Sequence, residues 1–234
     1  SSPFPNSIGL FYSAITDYLG FAVNEGEYKV MGLAAYGDPV YFNEISKTIN
    51  FQDGKLFLDT KYYDFCRSIK KSYSDKLKEI FNVGERESNQ NLDLNSPNFK
   101  EYADIAASAQ KVVENLLEKI FLYAHKITNE KKFILSGGVA MNSVAINKLS
   151  KLEFVDEIII PPSPGDSGAS IGAAYYGYLK NGNKFINNLD INNSGVLTPG
   201  FFKNSNNDEE FFLSKYEKIC DKKEIVETAS KLIS

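Results

Sequence analysis

The chain of 234 residues carries a net charge of −4, with 43% hydrophobic and 24% charged residues, a balance that suits one large folded domain or two small ones and excludes a disordered polar tract. Its acidic excess, with no long basic run, argues against a nucleic-acid backbone as the main partner and leaves at most a locally basic cleft. No apolar run reaches the roughly 20 residues of a membrane span and no signal-peptide pattern opens the chain, so no membrane partner and a cytoplasmic location are expected.

In chain order, Ser7 suits the N-cap of a helix in which Ile8, Phe11, Tyr12, Ile15, Tyr18 and Leu19 form one apolar face, ended by Gly20. The next stretch, NEGEYKVMGLAAYGDP, sets Glu25, Glu27 and Lys29 between glycines, and its helix-forming run Tyr28 to Tyr36 stops at Gly37-Asp38-Pro39. Two readings stand side by side here: a solvated charged turn, or a site where Glu27 or Lys29 faces a ligand hydroxyl or phosphate and Tyr36 lines the same cleft. Tyr41 to Thr48 is helix-like, and Asp53-Gly54 between the apolar runs of residues 49–58 predicts a hairpin.

Lys61 to Phe81 mixes aromatics with lysines and predicts helical pieces around Tyr62, Tyr63, Phe65, Ile69 and Leu77. Such interleaving also fits stacking on RNA, but the balancing acids favour a solvated face. Gly84 to Pro97 predicts an exposed loop in which Arg86 is the residue to watch. Tyr102 to His125 is the strongest helix, because Ile105, Ala109, Val112, Leu116, Leu117, Ile120 and Ala124 recur with helical period and mark a core stripe. Lys180 to Ser194 reads as a surface loop, Asn204 to Glu210 as a cap and helix start, and Lys223 to Ile233 as a last helix. Cys66 and Cys220 have no CxxC spacing and no histidine beside them, so free thiols are expected. His125 is the single histidine, near a helix end where the dipole favours it, and the chain cannot by itself supply a multi-histidine metal site.

The stretch Phe133 to Ala174 holds two strand-to-helix turns rich in small residues. Lys132 to Leu135 reads as a buried strand broken by Ser136-Gly137-Gly138, where the backbone can approach a ligand closely. A helix is predicted from Val139 through Leu149, with anion-attracting N–H groups at its start and the Asn142 amide within its first turn. The plan repeats with Ile158-Ile159-Ile160 as strand, Pro161 to Gly165 as a stiff turn, Asp166 at the apex, and a helix through Ala169, Gly172, Ala173 and Ala174. The same turns occur as ordinary cap chemistry, with Asp166 capping its own helix; a phosphate or nucleotide cradle is the other reading.

Five blocks in order, SIGLFYSAITDYLGF, NEGEYKVMGLAAYGDP, YADIAASAQKVVENLL, ILSGGVAMNSVAINKL and PPSPGDSGASIGAA, resemble the nodulation-protein-U type O-carbamoyltransferases over about the first 200 residues. The resemblance implies an α/β fold of the actin-like ATPase (ribonuclease H-like) superfamily, related to the tRNA threonylcarbamoyladenosine synthases, here its carboxyl-terminal portion with helical insertions. It implies a partial domain over residues 1–200, connecting helices over 201–234, and a YrdC-like domain absent from this chain. Carbamoyl phosphate and ATP would give a carbamoyl-adenylate, which donates its carbamoyl group to the hydroxyl of a small molecule or sugar beside a divalent metal, commonly iron.

Carried over by position, Asp166 matches the metal-binding aspartate, and Gly137, Gly138 and Asn142 match the nucleotide-binding turn. Glu27, Lys29 and Gly37 fall in the block flanking the ribose or adenine. A cation held by a carboxylate polarises a carbonyl and stabilises oxyanion charge. The family's two metal-binding histidines, from an HxxxH block, have no counterpart here, so the resemblance implies a fragment that neither binds metal tightly nor turns over alone. The alternatives are a tRNA threonylcarbamoyladenosine synthase-like enzyme and a non-catalytic nucleotide-binding scaffold.

Overall fold

A computed structural model describes residues 2–182 apart from 69, 89, 90 and 162. These residues are arranged around one helix, α5 (Phe99–Thr128, 30 residues). Its apolar stripe buries Ile105, Ala106, Ala109, Val112, Val113, Leu116 and Leu117, as the helical period predicts. Asn98 and Asn129 bound it in left-handed conformation (φ 59° and 58°), a geometry asparagine tolerates better than most residues.

Helix α1 (Ile8–Tyr18) starts where expected, with Ser7 Oγ accepting from the Leu10 N–H at 3.3 Å. Phe11, Ile15, Tyr18 and Leu19 are fully enclosed, each contributing roughly 1.5–3 kcal/mol by burial. The chain then reverses at Gly20 (φ +68°), where a Cβ would lie 2.4 Å from the Arg86 carbonyl oxygen. Helix α2 (Glu27–Leu33) runs into a 3-10 turn at Ala34–Tyr36, which packs on α5. Strands β1 (Ile49–Gln52) and β2 (Lys55–Leu58) form the predicted antiparallel hairpin with Gln52 opposite Lys55. Asp53 and Gly54 both take positive φ (51° and 76°), as a tight two-residue reversing turn requires.

Several expectations are corrected. The helix expected over Tyr41 to Thr48 shortens to α3 (Phe42–Ile45); Thr48 Oγ1 turns back to donate to the Ile45 carbonyl at 2.7 Å, a local bond that competes with continued helix. Of the helical pieces expected between Lys61 and Phe81, only α4 (Asp75–Lys78) forms among the described residues. The segment instead folds back on itself through a Tyr63–Tyr73 bridge, because Tyr63 is buried beside Thr48 and stacks on Phe65 at 5.8 Å. The loop from Gly84 is not wholly exposed either. Arg86 is 6% exposed, and its guanidinium donates to the Leu19 and Gly20 carbonyls at 2.6 and 3.0 Å, satisfying the open end of α1.

Strands β3 (Lys132–Ile134) and β4 (Glu157–Ile159) pair in parallel, Phe133 opposite Ile158, one residue earlier in the second strand than the apolar run suggests. Phe133 packs on Phe121 at 4.6 Å, so one face meets the core, but Ile134 is 77% exposed and the expected full burial is not seen among the described residues. A period of two explains it: Phe133 faces the core and Ile134 the opposite side. The helix expected from Val139 is also divided. Gly138–Met141 is a 3-10 turn, and Asn142 (ψ 85°) breaks it before α6 (Ser143–Leu149). The last described helix, α7 (Gly168–Lys180), buries none of its residues among those described. No helix among the described residues is long and apolar enough to cross a membrane. Cys66 is a free, exposed thiol. Cys220, the boundary at residue 200, the connecting helices over 201–234 and nearly all of the loop from Lys180 lie outside the described residues.

Candidate functional site

The two small-residue turns are joined directly. The Gly137 N–H donates to the Pro164 carbonyl at 2.6 Å and the Leu135 N–H to the Ile159 carbonyl at 2.9 Å, so the parallel pairing of β3 and β4 carries their two exits to one end. Gly137 has φ +98°, a conformation glycine adopts without strain. Among the described residues a Cβ built on Gly138 would meet nothing within 4 Å, whereas one on Gly165 would touch only Met141 Cε at 3.5 Å. The backbone of the first turn thus faces open space. In the second turn the Gly168 N–H donates to the Gly165 carbonyl at 3.0 Å and the Ser163 and Ser167 hydroxyls meet at 2.6 Å. Ser167 holds the cap position of α7 without a side-chain cap bond, so Asp166 is not the cap; its side chain is exposed at the apex.

Asn142 is anchored rather than free. Its Oδ1 accepts from the Ala145 N–H at 3.0 Å, capping α6, and from Gln110 Nε2 at 3.1 Å, while its Nδ2 donates to Gln110 Oε1 at 2.9 Å. Tyr12 donates its hydroxyl to the same Gln110 oxygen at 3.0 Å. Burial, followed by the nearby Glu27 and Glu114 carboxylates, pushes the Tyr12 hydroxyl well above its ordinary range, so it stays protonated and donates. Glu27 accepts from Ser13 Oγ at 2.7 Å and from the Asn24 N–H at 3.0 Å, and Ser143 Oγ approaches Met31 Sδ at 3.8 Å. Helices α1, α2, α5 and α6 are therefore linked around Asn142 and Ser143, just after the Gly137-Gly138 turn.

Of the residues that the sequence singles out, Gly137, Gly138, Asn142, Asp166 and, through α1, Glu27 gather in one region. Lys29 and Gly37 do not. Lys29 stands 5.8 Å over the Phe21 ring and lines a surface cavity of about 380 Å³ with Arg86, Ser88 and Asn91. Gly37 lies against α5, where a Cβ would sit 2.0 Å from the Ala103 carbonyl oxygen, and that close approach accounts for the glycine. Sequence reasoning missed Gln110 and the polar use of Tyr12. The available signal was an amide inside the apolar stripe of α5, at a position periodicity assigns to the core.

Among the described residues no group of three or more His, Cys, Asp or Glu side chains comes together, so Asp166 supplies one carboxylate where a bound cation ordinarily takes at least four ligands.

The family described as carbamoyltransferase N-terminus matches residues 1–175. The protein sll1178 of Synechocystis is 34% identical over 203 residues, 85% of this chain and 32% of that protein. Nodulation protein NolNO of Sinorhizobium fredii is 30% identical over 176 residues, 74% of this chain and 23% of its own length. The tRNA N6-adenosine threonylcarbamoyltransferase of Lactobacillus delbrueckii is 31% identical over 150 residues, 61% of this chain and 40% of that enzyme. The chain thus spans well under half the length of each of these relatives.

Proposed function

The chain belongs to the carbamoyltransferase family, and on that premise we propose that its two joined glycine turns hold the donor of a carbamoyl transfer to a hydroxyl. The donor is carbamoyl-adenylate, made from carbamoyl phosphate and ATP, within an actin-like ATPase fold and together with a YrdC-like domain of the same protein. The acceptor is a hydroxylated small molecule or sugar. The single observation that carries the reading is the 2.6 Å bond from the Gly137 N–H to the Pro164 carbonyl, which sets the open Gly138 backbone beside the Gly165-Asp166 turn.

In the transfer the acceptor oxygen attacks the carbamoyl carbon, the bond from that carbon to the phosphate oxygen breaks, AMP leaves, and the hydroxyl proton is released. The Gly137-Gly138 backbone orients the phosphate because no side chain keeps it away, and fixed positioning lowers the entropic part of the barrier. Glu27 and the Asn142 network place the sugar side of the donor. Asp166 is proposed as one ligand of a divalent cation, commonly iron in this family, whose remaining ligands come from outside the described residues.

Incubating the full-length protein with carbamoyl phosphate, ATP and a panel of hydroxylated acceptors should release AMP and yield a carbamate ester in equal amounts. Absence of both products across acceptors and added metals would count against the reading. The identity to a tRNA N6-adenosine threonylcarbamoyltransferase supports a second reading, transfer to tRNA adenosine, which predicts a threonylcarbamoyl adduct on tRNA in place of the ester.

A further inference from the structure

Gln110 sits in the middle of α5 at 4% exposure. A buried amide is costly unless its polar positions are used, and here all four are. Oε1 accepts from Tyr12 Oη and Asn142 Nδ2 at 3.0 and 2.9 Å, and Nε2 donates to Asn142 Oδ1 and Glu114 Oε1 at 3.1 and 3.3 Å. An apolar side chain is the simpler solution for a helix stripe, since replacing a satisfied polar pair by well-packed apolar groups is often neutral. The amide therefore calls for an account beyond core stability.

Its partner supplies one. The Ala140 N–H donates to the Gly137 carbonyl and the Asn142 N–H to the Val139 carbonyl, both at 3.0 Å, so Asn142 is the far end of the turn that opens at Gly137. The amide orientation is also fixed. Tyr12 stays neutral and donates, which turns Gln110 Oε1 toward it and leaves Nε2 for Asn142 Oδ1. That same oxygen remains in place to cap Ala145. On the other side, Glu114 approaches Lys148 of α6 at 3.6 Å, tying the same corner together.

We propose that Gln110 is a positioning residue for carbamoyl transfer: through its paired amide with Asn142, and with Tyr12 setting its orientation, it holds the Gly137-Gly138 backbone where the adenylate donor meets it. The proposal rests on the reading of that turn given above. Gln110 does not touch the donor; it acts through Asn142.

The test uses the full-length protein in the transfer step, with carbamoyl-adenylate as the donor. Gln110→Leu should raise the KM for the donor about tenfold, the equivalent of the hydrogen bonding lost at the turn, with kcat little changed. Tyr12→Phe, which keeps the ring and so serves should Gln110→Leu fail to fold, should move KM the same way by less. Because both act on one pair, Gln110→Leu combined with Asn142→Ala should be no worse than the more affected single variant. Wild-type KM in the Gln110 and Tyr12 variants, while Gly138→Ala raises KM, overturns the proposal and leaves Gln110 a purely structural residue. Wild-type KM in Gly138→Ala as well shows that the turn does not hold the donor, and the proposal falls with that reading.

Discussion

Replacing Gly37 by alanine separates packing from ligand contact at a position whose sequence context suggests the latter. The new methyl carbon would lie 2.0 Å from the Ala103 carbonyl oxygen, 2.2 Å from its carbon and 2.6 Å from the Asp104 nitrogen. All three are backbone atoms of α5, so no side chain can swing aside and the 3-10 turn must lift from the helix. Overpacking of this kind costs about 1–3 kcal/mol. The lift also strains the bond from the Asp38 N–H to Asp104 Oδ1 at 2.6 Å, a contact to a charged group worth about 1.5–3 kcal/mol. The expected loss is about 2.5–6 kcal/mol in all, read as a lower urea midpoint with unchanged slope. A loss below about 0.5 kcal/mol, the ordinary scatter of surface changes, would refute the packing argument.

Gly20→Ala meets the same kind of obstacle, with φ +68° and the Arg86 carbonyl oxygen 2.4 Å from the new methyl, and should also lower the urea midpoint; an unchanged midpoint would contradict the close approach. Asn142→Ala removes a cap worth about 1 kcal/mol and leaves the buried Gln110 amide short of partners, a further cost of about 1–3 kcal/mol, measurable by the same titration. The Glu85 carboxyl is held down to about 2 from an ordinary 4.5, chiefly by Lys71, with Lys78 and Tyr73 adding to it. Its folded value lies below its unfolded one, so its contribution is complete above about pH 4.5 and is lost as pH falls toward 2. Glu85 is a third exposed, so solvent screening keeps the effect small. Glu85→Gln should flatten the stability profile in that window by lowering stability slightly at neutral pH and converging on the wild type near pH 2; an unaltered pH profile would contradict the pairing.

The elements legible in the sequence were those in which local signals agreed with tertiary burial. Ser7, the apolar face from Ile8 to Leu19 and Gly20 define α1; Asp53-Gly54 defines the hairpin; the stripe from Ile105 to Leu117 defines α5. Failures came where a side chain formed a long-range bond that pattern cannot announce. Tyr63 looks like a helix aromatic until its partners Thr48 and Phe65 are in place, and Arg86 looks like a loop cation until it reaches the end of α1. At the site, each glycine turn follows from a short apolar strand and could be read in advance, whereas their direct joining through the Gly137 N–H and the Pro164 carbonyl could not. The different surroundings of Glu27 and Lys29, two residues apart on one helix, could not, because helical direction sends one toward α1 and the other toward Phe21. Gly37 falls in a block that sequence alone reads as flanking a ligand, and its close approach to the Ala103 carbonyl is a packing requirement that the pattern does not announce.

The most direct test of the account is Gly138→Ala in the full-length protein. Among the described residues nothing lies within 4 Å of the added methyl, and the backbone there is not in the positive-φ region, so the stability read by urea titration should hold or rise by up to about 1 kcal/mol. Measured on the same preparation, the KM for carbamoyl-adenylate should rise at least about tenfold, a loss of about 1.4 kcal/mol of binding, because the methyl fills the space in which the donor phosphate meets the turn. A stable variant with unchanged KM would contradict the claim that these turns hold the carbamoyl donor.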